Sequence, residues 1–182
     1  MRVLSSNHAP GLPFTSSTIA AMHALVRLAV LDPRVSTAAK EILKDVPRRD
    51  YRAEAAALLR WTQQNARYTR DPQLPDGIDR VSHPLVTLAS GGEDCDGLAT
   101  LLASLAASVG FEYAFRTIGD NAAAPDEFRH VYVMLHVPNV GWVAADPSFE
   151  QPLGWEPSPD RVELLPDGTT VAAAPVVRDW HP

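Results

Sequence analysis

At 182 residues the chain is long enough for one domain with a sizeable core and short for two. An apolar fraction of 46% and a charged fraction of 21% exclude global disorder. Sixteen Lys and Arg against 22 Asp and Glu give a formal charge of -6, which argues against a nucleic-acid partner, since that affinity rests on cationic side chains.

The single cysteine, Cys95, excludes an internal disulfide framework and allows a cytosolic location. Met1 to Phe14 does not read as a secretory signal, because Pro10, Gly11 and Pro13 break any apolar run; as written, the chain is expected in the cytoplasm. No stretch approaches the roughly 20 apolar residues that span a bilayer. The best candidate, Ile19 to Leu31, is too short and carries His23 and Arg27, so no membrane partner is expected.

There is no internal repeat and no low-complexity run. Thr18 can cap a first helix with apolar positions Ile19, Met22, Leu25, Val26 and Ala29. Asp32-Pro33 stops it and starts a second, which runs to about Asp45. Asp50 caps a third, with Leu58, Leu59 and Trp61 on its apolar side. Asp71-Pro72, Pro75 and Asp76-Gly77 mark a long loop. The clearest helix starts near Asp94 and Cys95, carries Leu98, Leu101, Leu102, Leu105 and Val109 at helical spacing, and ends at Gly110.

After Gly110 the period changes to two. Tyr113 to Ile118 and Phe128 to Val137 read as strands, Pro138 to Gly141 as a turn, and Trp142 to Asp146 as the returning strand. Beyond Pro147 the tail is rich in Pro and Gly, with one further hairpin expected around Pro166-Asp167-Gly168. Helices first and antiparallel strands second predict an α+β fold.

A cysteine is a good nucleophile only as thiolate, and the unpaired N–H groups of a helix start favour that form. Cys95 stands at such a start, after Gly91-Gly92, and the same N–H groups can form part of an oxyanion hole. Glu93, Asp94 and Asp96 oppose the thiolate, so the chemistry needs an imidazolium partner. His130 begins one strand and Asp146 ends the next, and an antiparallel hairpin brings those ends together. A four-residue loop over 138–141 would set His130 opposite Phe149, three residues past Asp146. A shifted turn or a bulge is needed to align the pair directly.

Three motifs in order carry a resemblance. Gly92-Glu93-Asp94-Cys95-Asp96-Gly97-Leu98-Ala99 resembles the Gly-Asp-Cys-Asp-Asp helix start of the transglutaminase-like superfamily. Phe128-Arg129-His130-Val131-Tyr132-Val133 is similar to its histidine strand, and Gly141-Trp142-Val143-Ala144-Ala145-Asp146-Pro147-Ser148 to its Gly-x-Trp…Asp-Pro-Thr segment. Trp61, Ala66-Arg67-Tyr68 and Pro84-Leu85-Val86-Thr87-Leu88 match the usual lead-in. Two positions depart from the pattern: Glu93 stands between the glycines and Asp94, and Gly97 replaces a common second acid.

The resemblance implies a papain-like core over about 50–150 within a single domain spanning 1–182, with a helical extension over 1–49 and a tail over 151–182. It implies a Cys95–His130–Asp146 triad performing acyl transfer on an amide or isopeptide bond through a thioester, hydrolysis preferred, without a cofactor. The partner it implies is a protein or peptide substrate, peptidoglycan-linked peptides included. The layout looks most like small bacterial and phage transglutaminase-like proteins, which would make the protein virion-associated if phage-derived.

Plainer readings stand beside these. A lone Cys is more often buried and structural than catalytic. A silent binding or phage-structural module would keep the fold without thiol reactivity. Zinc at Cys95, His130 and Asp146 lacks a second Cys or a close His pair. Calcium at Glu93, Asp94 and Asp96 competes with a solvated, helix-starting acidic cluster. His136 reads as a half-exposed sheet residue. Trp142 and Trp155 could line a cleft or pack in the core.

Overall fold

Asp32, Asp50 and Asp94 each accept a hydrogen bond from a backbone N–H two or three residues on, and each opens a helix. These are α2 (Pro33–Leu43), α3 (Tyr51–Asn65) and α5 (Cys95–Ser108), joined by α1 (Leu12–Val30) and a short α4 (Pro84–Ser90). The computed structural model describes residues 2–5, 12–69, 79–119, 128–156, 162–164, 170–172 and 176–182. α1 starts six residues before the expected Thr18 cap. Pro13 fits a first helical turn rather than preventing one, and Thr18 lies buried within the helix. α4 was not expected, since seven residues are too few for a period to show. His83 caps it, Nδ1 accepting from Leu85 N–H.

The main sheet has the order β10-β5-β6-β7, antiparallel throughout. Its strands are β5 (Glu112–Gly119), β6 (His130–Val137), β7 (Gly141–Ala145) and β10 (Val176–Trp180). The tail is therefore more than the Pro/Gly-rich segment expected, because β10 forms one edge of this sheet. β8 (Val162–Leu164) and β9 (Thr170–Ala172) make the expected hairpin; its turn at 166–168 lies outside the described residues, as does the loop read at 71–77. Two small pairings were not foreseen. β1 (Arg2–Ser5) pairs antiparallel with β3 (Asp79–Ser82), and β2 (Arg67–Tyr68) pairs parallel with β4 (Gly92–Glu93).

Every residue of α5 from Asp96 to Ala106 is buried. A helix apolar on all sides belongs at the centre of a fold, and α5 is surrounded by α1 to α4 and by β5 and β6. Its buried hydroxyls satisfy themselves within the helix: Thr100 Oγ1 donates to the Asp96 carbonyl and Ser104 Oγ to that of Thr100. The two-residue period divides the sheet. Tyr113, Phe115, Val131, Val133, Leu135 and Val137 join the core built on α5. Ala114, Ile118, Tyr132, Met134 and Ala144 form a second cluster with Phe149 on the other face. The α+β expectation holds. Among the described residues no helix is long and apolar enough to cross a membrane.

Candidate active site

The β6–β7 turn decides how His130 meets Asp146. Val137 pairs with Gly141, so the loop is Pro138-Asn139-Val140, three residues rather than four. Val140 N–H donates to the Val137 carbonyl (3.0 Å), and Asn139 takes a φ of 65° in the third position, the pattern of a type II turn with Pro second. Gly141 follows at φ 99°, a conformation that favours glycine. The ladder then runs to Val133↔Ala145 and stops. Direct alignment is unnecessary. Asp146 leaves the ladder, and its side chain reaches back to the start of β6.

His130 Nε2 and Asp146 Oδ2 lie 2.7 Å apart with both side chains fully buried. A carboxylate accepts, so Nε2–H donates to Asp146 and Nδ1 is the nitrogen left out of the contact. Nδ1 is itself buried and makes no hydrogen bond, to Cys95 or to any other described group. The second carboxylate oxygen, Oδ1, accepts from Ser148 N–H at 2.9 Å, closing an Asx turn over Pro147. Two rings hold the imidazole. Tyr132 stacks on it at 5.8 Å, and Phe149 meets it edge-on at 5.6 Å. The Tyr132 phenol donates to Glu156, which also receives Arg116. Burial, then that carboxylate, pushes the phenol well above its ordinary range.

Cys95 is the first residue of α5, and its partly buried side chain packs on the α5 core. Tyr68 pairs with Glu93, two residues before Cys95, and packs against both the α5 core and the second cluster that contains Tyr132 and Phe149. The acids beside Cys95 differ from the solvated cluster expected. Glu93 and Asp96 are buried, and only Asp94 is half-exposed. Gly97 N–H donates to Asp96 Oδ1 at 2.8 Å and to Asp94 Oδ1 at 3.4 Å, while Leu98 N–H donates to the Asp94 carbonyl. These two first-turn donors are engaged inside the protein. Among the described residues no three His, Cys, Asp or Glu side chains converge as a metal site requires.

Two of the remaining candidates, His136 and Trp142, lie apart from this constellation. His136 is half-buried at the far end of β6, against Trp142. Trp142 is 42% exposed and also meets His181. Trp155 packs on Phe149 in the second cluster. Two neighbours of the His130–Asp146 pair had no motif to announce them, Phe149 and, on α3, Gln63, and no role was read for Tyr132 within the histidine-strand motif. The two-residue period could have placed Tyr132 beside His130; nothing in the sequence marks Gln63.

The family model described as the transglutaminase-like superfamily matches residues 37–147, well over half of the chain. No curated protein sequence matches it. Among solved structures the chain is similar to a "putative protease" from Parabacteroides distasonis, with TM-score 0.56 and 14% identity over 87% of this chain and 30% of that one. It is also similar to a "putative cysteine protease" from Cytophaga hutchinsonii (TM-score 0.47, 14% identity, 91% of this chain and 48% of that one). LapG of Legionella pneumophila matches with TM-score 0.45 and 15% identity over 72% of this chain and 75% of that one. The chain thus spans under a third of the first of these proteins and about half of the second.

Proposed function

Because the chain belongs to the transglutaminase-like superfamily, we propose that it is a cysteine-dependent enzyme that cleaves amide or isopeptide bonds, with Cys95 as nucleophile, His130 as base and Asp146 as orienting acid. The observation that carries this reading is the fully buried 2.7 Å contact of His130 Nε2 with Asp146 Oδ2, which leaves Nδ1 without a partner. An imidazole so fixed has one tautomer and one basic nitrogen.

Nδ1 takes the Cys95 proton, and the thiolate attacks the substrate carbonyl. The same nitrogen then protonates the leaving amine, and a thioester remains. Water, deprotonated by Nδ1, attacks the thioester to release the acid and restore the thiol. Asp146 steadies the imidazolium present between these steps. Hydrogen bonds between nucleophile and base often form only with substrate bound, which suits an Nδ1 without a partner in the free protein.

The substrate class is a protein or peptide, within a single domain over 1–182, and no cofactor enters. Hydrolysis is the favoured outcome, since water far exceeds any amine in concentration at the thioester. The test is product mass after incubation with peptide and isopeptide libraries at millimolar amine, for the protein and for Cys95→Ala. Free acid, lost in the variant, is expected; amine adducts dominating would replace hydrolysis with transfer, and equal turnover by Cys95→Ala would end the reading.

A further inference from the structure

The side-chain amide of Gln63 faces three backbone carbonyls at once. Its Nε2, which carries two hydrogens, lies within hydrogen-bond distance of Asp146 O at 3.1 Å, Phe149 O at 2.6 Å and Gln151 O at 2.9 Å, one hydrogen being shared between two of them. Carbonyl oxygens can only accept, so the amide orientation is fixed by its partners. The three lie along one turn, itself closed by Ser148 N–H on Asp146 Oδ1 and by Gln151 N–H on the Phe149 carbonyl. The first two residues of that group matter most. Asp146 holds His130 through its carboxylate, and Phe149 holds it through its ring edge. β7 has already ended at Ala145, so no ladder bond fixes either of them. One half-buried side chain on a helix thus pins both groups that set the imidazole from that side.

We propose that Gln63 is a positioning residue for the His130–Asp146 pair: it fixes the 146–151 turn against α3 and so holds His130 in the orientation that presents Nδ1. This rests on the catalytic reading above for its consequence, though not for its geometry. α3 is well anchored, capped by Asp50 and packed on α5. A clamp built on a helix holds a site more tightly than one built on a loop. Loss of about 1 Å in placement can cost on the order of 10²-fold in rate.

Two measurements test this in the full chain, on wild type, Gln63→Ala and the similarly sized Gln63→Met, all below their melting temperatures. The first is hydrogen exchange of the His130 Nε2–H by NMR on ¹⁵N-labelled protein. The wild type should show a protected signal, and both variants should lose at least about 10-fold of that protection as the turn loosens. The second is the pH profile of Cys95 alkylation by iodoacetamide, with the rate near pH 6 expected to fall by about 10-fold or more in both variants. A lower melting temperature with both readouts unchanged would make Gln63 merely structural and overturn the proposal. If wild-type Cys95 alkylates no faster than a free thiol, the catalytic reading fails. The exchange of the His130 N–H then still decides the role of Gln63: unchanged protection overturns it, and lost protection upholds it.

Discussion

The side chain of Glu93 occupies the space that a side chain at position 97 would need. A Cβ placed on Gly97 would overlap Glu93 Cγ and lie 2.8 Å from its Cβ and 3.1 Å from its Cδ. The two departures from the family's helix-start pattern are therefore one feature: a larger residue at 93 requires none at 97. Glu93 is buried, so it cannot swing into solvent to make room.

Gly97→Ala should accordingly cost about 1–3 kcal/mol, the usual range for overpacking a filled site, despite the better helix propensity of Ala. Glu93→Gly should remove most of that penalty in the double variant. Chemical denaturation of the four proteins measures the coupling, and additive effects would contradict the overlap.

His23 predicts how stability responds to acid. It lies on α1, with Nδ1 3.1 Å from the Tyr113 hydroxyl and its ring 4.9 Å from that of Phe115. Burial, helped by Arg27, lowers its pKa to about 4 from 6.5. A base whose folded pKa is depressed favours unfolding once it protonates. Stability is full above about pH 6.5 and is lost as the pH falls towards 4, by up to about 3 kcal/mol from this group. His23→Phe should flatten that part of the decline. Unfolding midpoints at pH 7 and pH 4.5 check it, and equal losses in both proteins would show that His23 is not the source.

Much of this was legible in the sequence, for reasons that differ by element. Asp32, Asp50 and Asp94 announced their helices because a cap is a local signal, and the leucines of α5 did so through their spacing. The residues of the candidate site were legible as motifs, and the hairpin brings His130 and Asp146 together as expected. The register was missed by one residue because it depended on Asn139 accepting a positive φ, which shortens the loop to three. β2, β4, α4 and β10 were missed because each is too short for a period or owes its state to a distant partner. Gln63 was illegible for the same reason. Its meaning lies in carbonyls more than 80 positions away.

Asp146→Asn should keep the fold and leave the imidazole free to take the wrong tautomer. Turnover should fall by about 10²- to 10⁴-fold with substrate binding changed far less. The smaller end is expected, since Asn serves this role in papain-like enzymes. Steady-state kinetics on a substrate found as above would show it as a loss in kcat. A loss confined to KM would assign Asp146 to binding.

In the proposed mechanism Cys95, His130 and Asp146 act as one unit, and the alkylation of Cys95 by iodoacetamide tests this without a substrate. Rates near neutral pH are needed for wild type, His130→Ala, Asp146→Asn and the double variant, beside a free cysteine model. The wild-type rate should exceed the model clearly, because helix and imidazole favour thiolate. Both single changes should lower it, and the double variant should be little slower than His130→Ala alone. A wild-type rate no higher than that of the model, or losses that simply add, would contradict the claim.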